Sequence, residues 1–251
     1  MNKKGFFMFF FAIIVLIVLV AFTTVIVSSN KKSLEIDLGG TQIALIEKYH
    51  EGEKKIFEIE KKSLYAKFKT LNDFSNFGGL DSNCKKIDDY YVWEFNTDCE
   101  PKIKENFIEL FKNNINTNLD YYQYSNEDLK IENNFIVADA KNELVLKGNT
   151  KNSDFVYKIK PNFKQDIIDL NKYENLKNEI KNKKDCLITD NYNNCLIKDL
   201  DIKIIKNGNI LKFDVNTNKE IIVYDNGIKI IKPVFKFAID IKNSWKNQLF
   251  T

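Results

Sequence analysis

The sequence predicts an α+β protein: an N-terminal transmembrane helix that continues into a long amphipathic helix, followed by an antiparallel strand-rich head with two further helices. Three observations predict it. Residues Phe6 to Val27, FFMFFFAIIVLIVLVAFTTVIV, carry no charged side chain. The next stretch repeats apolar residues at helical spacing. Beyond residue 80, short β-branched and aromatic runs alternate with asparagine, glycine and lysine turns.

A helix over Phe6–Val27 reaches about 33 Å at 1.5 Å per residue, against a hydrocarbon layer of about 30 Å. Secretory signals have shorter apolar regions, so a retained anchor is expected, with membrane lipid as the partner of residues 6–27. The chain then divides into a leader and anchor over 1–28, a juxtamembrane or stalk helix over 29–80, and an extracytoplasmic α+β head over 81–251. A sub-boundary near residue 161 is left open.

The chain is 44% hydrophobic and 29% charged, enough apolar residues to bury a core. Its 38 basic and 35 acidic residues are interspersed, giving a net charge of +3 and no basic block, so nucleic acid is not an expected partner.

From Thr41 to about Phe74, Leu45, Tyr49, Ile56, Ile59, Ala66 and Leu71 recur mostly at three- and four-residue steps. Glu58 and Lys62 are spaced to pair on the surface, and Phe77-Gly78-Gly79 ends the helix. YYVWEF (90–95) reads as a strand. Asp98 and Pro101 open a helix that runs to about Asn118, with Ile103, Phe107, Leu110 and Phe111 on its apolar face. LKIE, FIVADA, ELVLKG and DFVYKIK follow as strands, then a helix from about Phe163 to Asn182. A second strand series is IKII, ILKFDV, EIIVYD and IKIIKPVFKFAIDI, with tight turns at Asn207-Gly208 and Asn226-Gly227.

Lys160-Pro161-Asn162-Phe163-Lys164 echoes Lys232-Pro233-Val234-Phe235-Lys236, and each closes a series of about four short strands. A duplicated meander and coincidence in a Lys- and Phe-rich chain both account for the match. The different ordering of helices and cysteines around the two favours coincidence.

The four cysteines form two local pairs, Cys84 with Cys99 and Cys186 with Cys195. No C-x-x-C occurs, and His50 is the one histidine, so zinc is disfavoured. Two disulfides are the better reading, with reduced thiols as the alternative. Flanking charge leaves orientation open, because Lys3 and Lys4 on one side balance Lys31 and Lys32 on the other. Disulfides form in oxidising compartments, which places the N-terminus in the cytoplasm and the body outside it, in a single-pass cell-membrane protein.

Catalytic signatures are missing from the sequence: no G-x-S-x-G, no P-loop and no dinucleotide fingerprint. His50 reads as a surface residue. Asp190 in DNYNN lacks the acidic count and glycine of a calcium loop. Asp139, Glu143 and Asp169 are dispersed. Catalytic, cofactor-binding and metal-binding residues are therefore expected to be none.

The opening Met-Asn-Lys-Lys-Gly, followed directly by the apolar run, resembles the leader of type IV pilin-like surface proteins, archaeal ones in particular. The resemblance implies cleavage between Gly5 and Phe6, with the apolar stretch remaining as the start of a long helix. It also implies other pilin-like subunits as partners through that helix. Phe10 stands where the bacterial pattern has the glutamate that assists subunit alignment, which points to a minor or pilin-like component or to a non-assembling surface protein. The expected function is that of a membrane-anchored cell-surface protein, structural or adhesive, or a pilin-like assembly component. The alternatives are a tethered extracytoplasmic ligand- or partner-binding module and an extracytoplasmic hydrolase.

Overall fold

A computed structural model describes residues 3–80, 83–150, 154–189, 195, 200–224 and 228–245; the side chains of 3–12, 26–38, 223, 224 and 228 lie outside the described set. The chain is α+β, with four helices and twelve strands among the described residues. It divides into two compact units, residues 1–54 with 145–159, and residues 55–144 with 160–251.

Helix α1 spans Lys3–Asn76 and runs unbroken through Gly39 and Gly40. The transmembrane part of the expected fold class is corrected here: among the described residues, no helix is long and apolar enough to cross a membrane. The described side chains of the apolar run extend from Ile13 to Val25. From Lys31 onward α1 mixes charged with apolar residues.

In the first unit, α1 packs on a hairpin of β5 (Leu144–Asn149) and β6 (Asp154–Ile159). Gly52 makes this contact possible. A Cβ there would lie 2.5 Å from the Tyr157 ring and 3.4 Å from Leu146. The Tyr157 ring also meets Tyr49 edge-on, with centroids 5.8 Å apart.

The second unit is built on a five-stranded sheet ordered β1-β2-β12-β9-β8. Its strands are β1 (Lys86–Ile87), β2 (Tyr90–Val92), β8 (Ile202–Asn207), β9 (Ile210–Asn216) and β12 (Val234–Asp240). Every pair is antiparallel except β12 with β2, which is parallel, so the head departs from the purely antiparallel expectation. A second sheet, ordered β3-β4-β7, comprises β3 (Leu129–Glu132), β4 (Phe135–Ala138) and β7 (Phe163–Asp166). Strands β10 (Ile221–Tyr224) and β11 (Ile228–Ile231) form a hairpin. The expected turn at Asn226-Gly227 lies outside the described residues.

Helices α2 (Ile103–Thr117) and α3 (Leu170–Asn182) supply apolar faces, Phe107, Phe111 and Ile115 on one and Tyr173, Leu176 and Ile180 on the other. A short α4 (Lys184–Ile188) makes a third helix after α1, where two were expected. The expected helix from Phe163 begins only at Leu170. Residues Phe163–Asp166 instead pair with β4, and the Asp169 side chain accepts a hydrogen bond from Asn171 N at 3.1 Å, capping α3. Pairing partners outweighed the apolar spacing of Phe163 and Ile167.

On the α1 segment in this unit, Ile59, Ala66, Leu71 and Phe74 are buried. The expected interior face is shorter than predicted, since Leu45 and Tyr49 are exposed. The helix ends as expected: Gly79 N donates to Phe74 O, and Gly78 and Gly79 take φ of +58° and +73°. Gly78 has a second constraint, because a Cβ would stand 2.3 Å from the Lys236 carbonyl oxygen of β12. Gly208, in the β8–β9 turn, has a similar φ of +60° but open space around it. Gly78→Ala is therefore expected to cost about 3 kcal/mol or more and Gly208→Ala about 1–2 kcal/mol in denaturant unfolding, the first combining backbone strain with a clash. Equal costs would contradict the close approach of α1 to β12.

Candidate functional site

The cysteines meet in the two pairs read from the sequence. Cys84 and Cys99 are joined with Cα atoms 5.6 Å apart, and Cys186 and Cys195 with Cα atoms 5.8 Å apart. Loops of these lengths confer about 2.5–3 kcal/mol each by restricting the unfolded chain. The first loop holds β1, β2 and the buried Trp93 and Phe95. Glu100, just beyond it, accepts from Lys181 of α3 at 2.8 Å and from Asn96 N at 2.7 Å. Burial pushes the Glu100 carboxyl up, but these bonds outweigh it and hold the group below its ordinary range. Both disulfides therefore act as braces.

Two neighbouring grooves flank α3. One, of about 380 Å³, is lined by Asn134, Asp166, Asp169, Lys172, Tyr173, Asn216, Asn218 and Lys219 among others. The other, of about 350 Å³, is lined mainly by Lys172, Asn175, Asn178, Glu179, Asn182 and Lys183. Both are open grooves of mixed polar and apolar lining, at the lower end of the size range of small-molecule sites.

The polar centre of the first groove is Asp166. Its Oδ2 accepts from Lys219 Nζ at 2.6 Å and its Oδ1 from Lys67 Nζ at 2.9 Å. These two bonds, Lys219 foremost, hold the Asp166 carboxyl down at about 2. Lys67 is buried on α1, and its ammonium also lies 4.9 Å from the Phe68 ring centroid. Beside it, Gln165 Nε2 donates to Ser63 Oγ at 2.9 Å, and Asn114 Nδ2 of α2 to Thr70 Oγ1 at 3.0 Å. Ser63, Lys67 and Thr70 thus form a buried polar stripe that fixes α1 against β7 and α2. An aspartate held this firmly as an anion is a poor proton donor or acceptor near neutral pH. Asp169 is occupied as the α3 cap.

A second polar cluster lies on β2, β9 and the turn between β1 and β2. Tyr90 donates to Asp214 Oδ1 at 2.9 Å, and Lys212 pairs with Asp88 while lying over the Tyr90 ring. Burial and the Asp214 carboxylate push the Tyr90 hydroxyl up to about 12. Here too the charges are paired across strands.

His50 is exposed on α1 with its ring against Tyr49. Asp139 uses its backbone N–H to reach Asp128 O. Asp190 lies outside the described residues. Gly5 and Phe6 lie on the α1 backbone, with side chains outside the described set. Among the described residues, no group of three or more His, Cys, Asp or Glu is placed to hold a metal ion. No protein family, curated protein or solved structure matches the chain.

The sequence reading passed over the Lys67–Asp166–Lys219 cluster. Lys67 carried a signal, since it follows Ala66 on the same helical phase as Ile59, Ser63 and Thr70. Asp166 and Lys219 carried none, being distant in sequence and placed by strand pairing.

Breaking this cluster from its two sides should give unequal results. Asp166→Asn leaves a buried ammonium short of its anion and should cost about 1–3 kcal/mol, whereas Lys67→Met should stay within about 1 kcal/mol of the parent. With the Asp166 carboxyl depressed in the fold, its stabilisation is complete above the unfolded value near 4 and lost as pH falls toward about 2. Urea unfolding at pH 7 and through the acid range measures both. Equal costs for the two variants, or an Asp166→Asn protein with the parent's acid sensitivity, would remove this role.

Proposed function

We propose that the protein is an extracytoplasmic structural or adhesive component that assembles through the apolar N-terminal part of α1. The carrying observation is the exposure of that segment. Each large hydrophobic residue described between Ile13 and Val25, including Leu16, Ile17, Val18, Leu19 and Phe22, is between 42% and 67% exposed. A contiguous apolar surface of this kind marks an interaction site. The paired cysteines support an oxidising compartment. The pilin-like leader resemblance supports helix-to-helix packing between copies, which would cover the apolar residues and leave the disulfide-braced unit available for contacts. Function in such an assembly rests on shape and surface, which accords with carboxylates committed to ion pairs and caps.

Sedimentation and cross-linking of the full chain test the reading. The parent is expected to self-associate and to label with a thiol reagent only after reduction. Leu16→Lys with Leu19→Lys should yield monomers with an unchanged melting temperature. A parent that stays monomeric in detergent-free buffer, or that labels at its cysteines before reduction, would refute it.

A further inference from the structure

Residues from α2 to β7 and from α3 to β12 follow one order of elements. Each begins with a helix and continues into a tight hairpin, β3–β4 in the first stretch and β8–β9 in the second. A second hairpin follows, β5–β6 or β10–β11. Each then returns in a strand, β7 or β12, that pairs antiparallel with the second strand of the first hairpin. The resulting strand orders are β3-β4-β7 and β8-β9-β12. The Lys-Pro-x-Phe-Lys echo stands at the entrance to the return strand in both.

The match can be checked without further use of sequence. With Phe163 set on Phe235, hydrogen-bonded partners carry the alignment across each sheet. Phe163 lies opposite Ala138 and Phe235 opposite Val215; Ala138 lies opposite Leu129 and Val215 opposite Ile202. This alignment superposes Asp128-Leu129-Lys130-Ile131 on Asp201-Ile202-Lys203-Ile204. Only the strand positions of Leu129 and Ile202 entered it, and the identities of the four residues did not.

Local details agree. Asp128 O accepts from Asp139 N at 2.8 Å, and Asp201 O from Asn216 N at 3.0 Å, the same bond at matched positions. Each first hairpin turns through two residues, the first of them left-handed: Asn133 at φ +53° and Gly208 at φ +60°. Ile136 and Phe213 are buried at one matched site, Ala138 and Val215 at another. As many steps lead from Ala138 to Leu144 as from Val215 to Ile221, and both end on a buried residue that opens the second hairpin. Sheet registers are easily altered by one residue, which turns every side chain to the other face. Independent strands have no reason to agree at so many points.

We propose that residues 103–166 and 170–240 are two copies of one helix-plus-meander module, joined through residues 167–169. The second hairpin of each is an exchangeable arm on a common three-stranded scaffold. The copies have diverged at their arms and at the Cys186–Cys195 loop, which interrupts only the second copy between helix and first strand. The arms also differ in surroundings: Tyr157 of the first packs at Gly52 of α1, whereas Ile230 of the second is 67% exposed. Divergent arms on a conserved scaffold are where a duplicated protein acquires separate contacts.

Arm grafting in the full chain tests the proposal. In one graft, Leu144–Ile159 replaces Ile221–Ile231; in a control, the segment shifted by one residue, 143–158, replaces the same span. Amide exchange in β9 and β12 and thermal unfolding are measured. The in-phase graft should keep both strands protected and melt within about 5 °C of the parent, while the shifted graft loses that protection. The reciprocal graft, Ile221–Ile231 in place of Leu144–Ile159, is read at β4 and β7 and should keep them protected. Loss of protection in both in-phase grafts, or in-phase and shifted grafts that behave alike, overturns the proposal.

Discussion

Strand β12 and its two inward phenylalanines hold the second unit together. Phe237 is stacked between Trp93, at a centroid distance of 3.7 Å, and Phe213, at 4.6 Å, with all three planes nearly parallel. Phe235 meets Phe74 of α1, Tyr173 of α3 and Trp93. Burying such rings is worth about 2–3 kcal/mol each, and each well-placed aromatic pair adds about 0.5–1.5 kcal/mol. The backbone of β12 is equally committed: it pairs with β2 on one side and β9 on the other, and its Lys236 carbonyl sets the clearance that only Gly78 satisfies. The end of α1, the first disulfide loop, α3 and the β8–β9 hairpin all converge on one strand near the end of the chain. Long-range closure of this kind makes folding wait for the C-terminal segment.

The same economy explains the polar interior. The buried Lys67 is tolerated because Asp166 arrives on β7, and Asp166 is fixed because β7 pairs with β4. A buried ammonium on a helix gains little stability, but it disfavours any packing of α1 that leaves it without an anion. Asp166, Lys219 and Asp169 in the groove beside α3 are thus committed to positioning elements. Among the described residues, the exposed hydrophobic side chains from Ile13 to Val25 are the surface on which the proposed assembly rests.

Much of this fold was legible from local chemistry. The Phe77-Gly78-Gly79 stop, the start of α2 after Pro101, the hairpin with Gly208 and the pairing of the cysteines all rest on residues close in sequence. Where long-range pairing decides, local signals misled. Phe163 to Asp166 carries helical spacing, yet it is a strand because β4 offers it a partner. YYVWEF yields only a three-residue strand, and Trp93 goes to the core instead, its indole N–H donating to Gly78 O at 2.9 Å. The transmembrane expectation rested on the apolar run alone, and no helix among the described residues is long and apolar enough to cross a membrane. The paired lysines around Asp166 came together only through the sheet. The Lys-Pro-x-Phe-Lys echo looked like coincidence because helices and cysteines are ordered differently around its two occurrences; the proposed duplication rests on strand register, which five residues do not carry.

Native-state amide exchange of Phe235 to Asp240 tests the central role of β12 most directly. If the rest of the second unit depends on this strand, these amides exchange only through global unfolding, with an opening free energy equal to that from denaturant melts. Exchange of β12 through a local opening, several hundredfold faster than at Ile136 and Val137 of β4 in a molecule that remains folded, would contradict it.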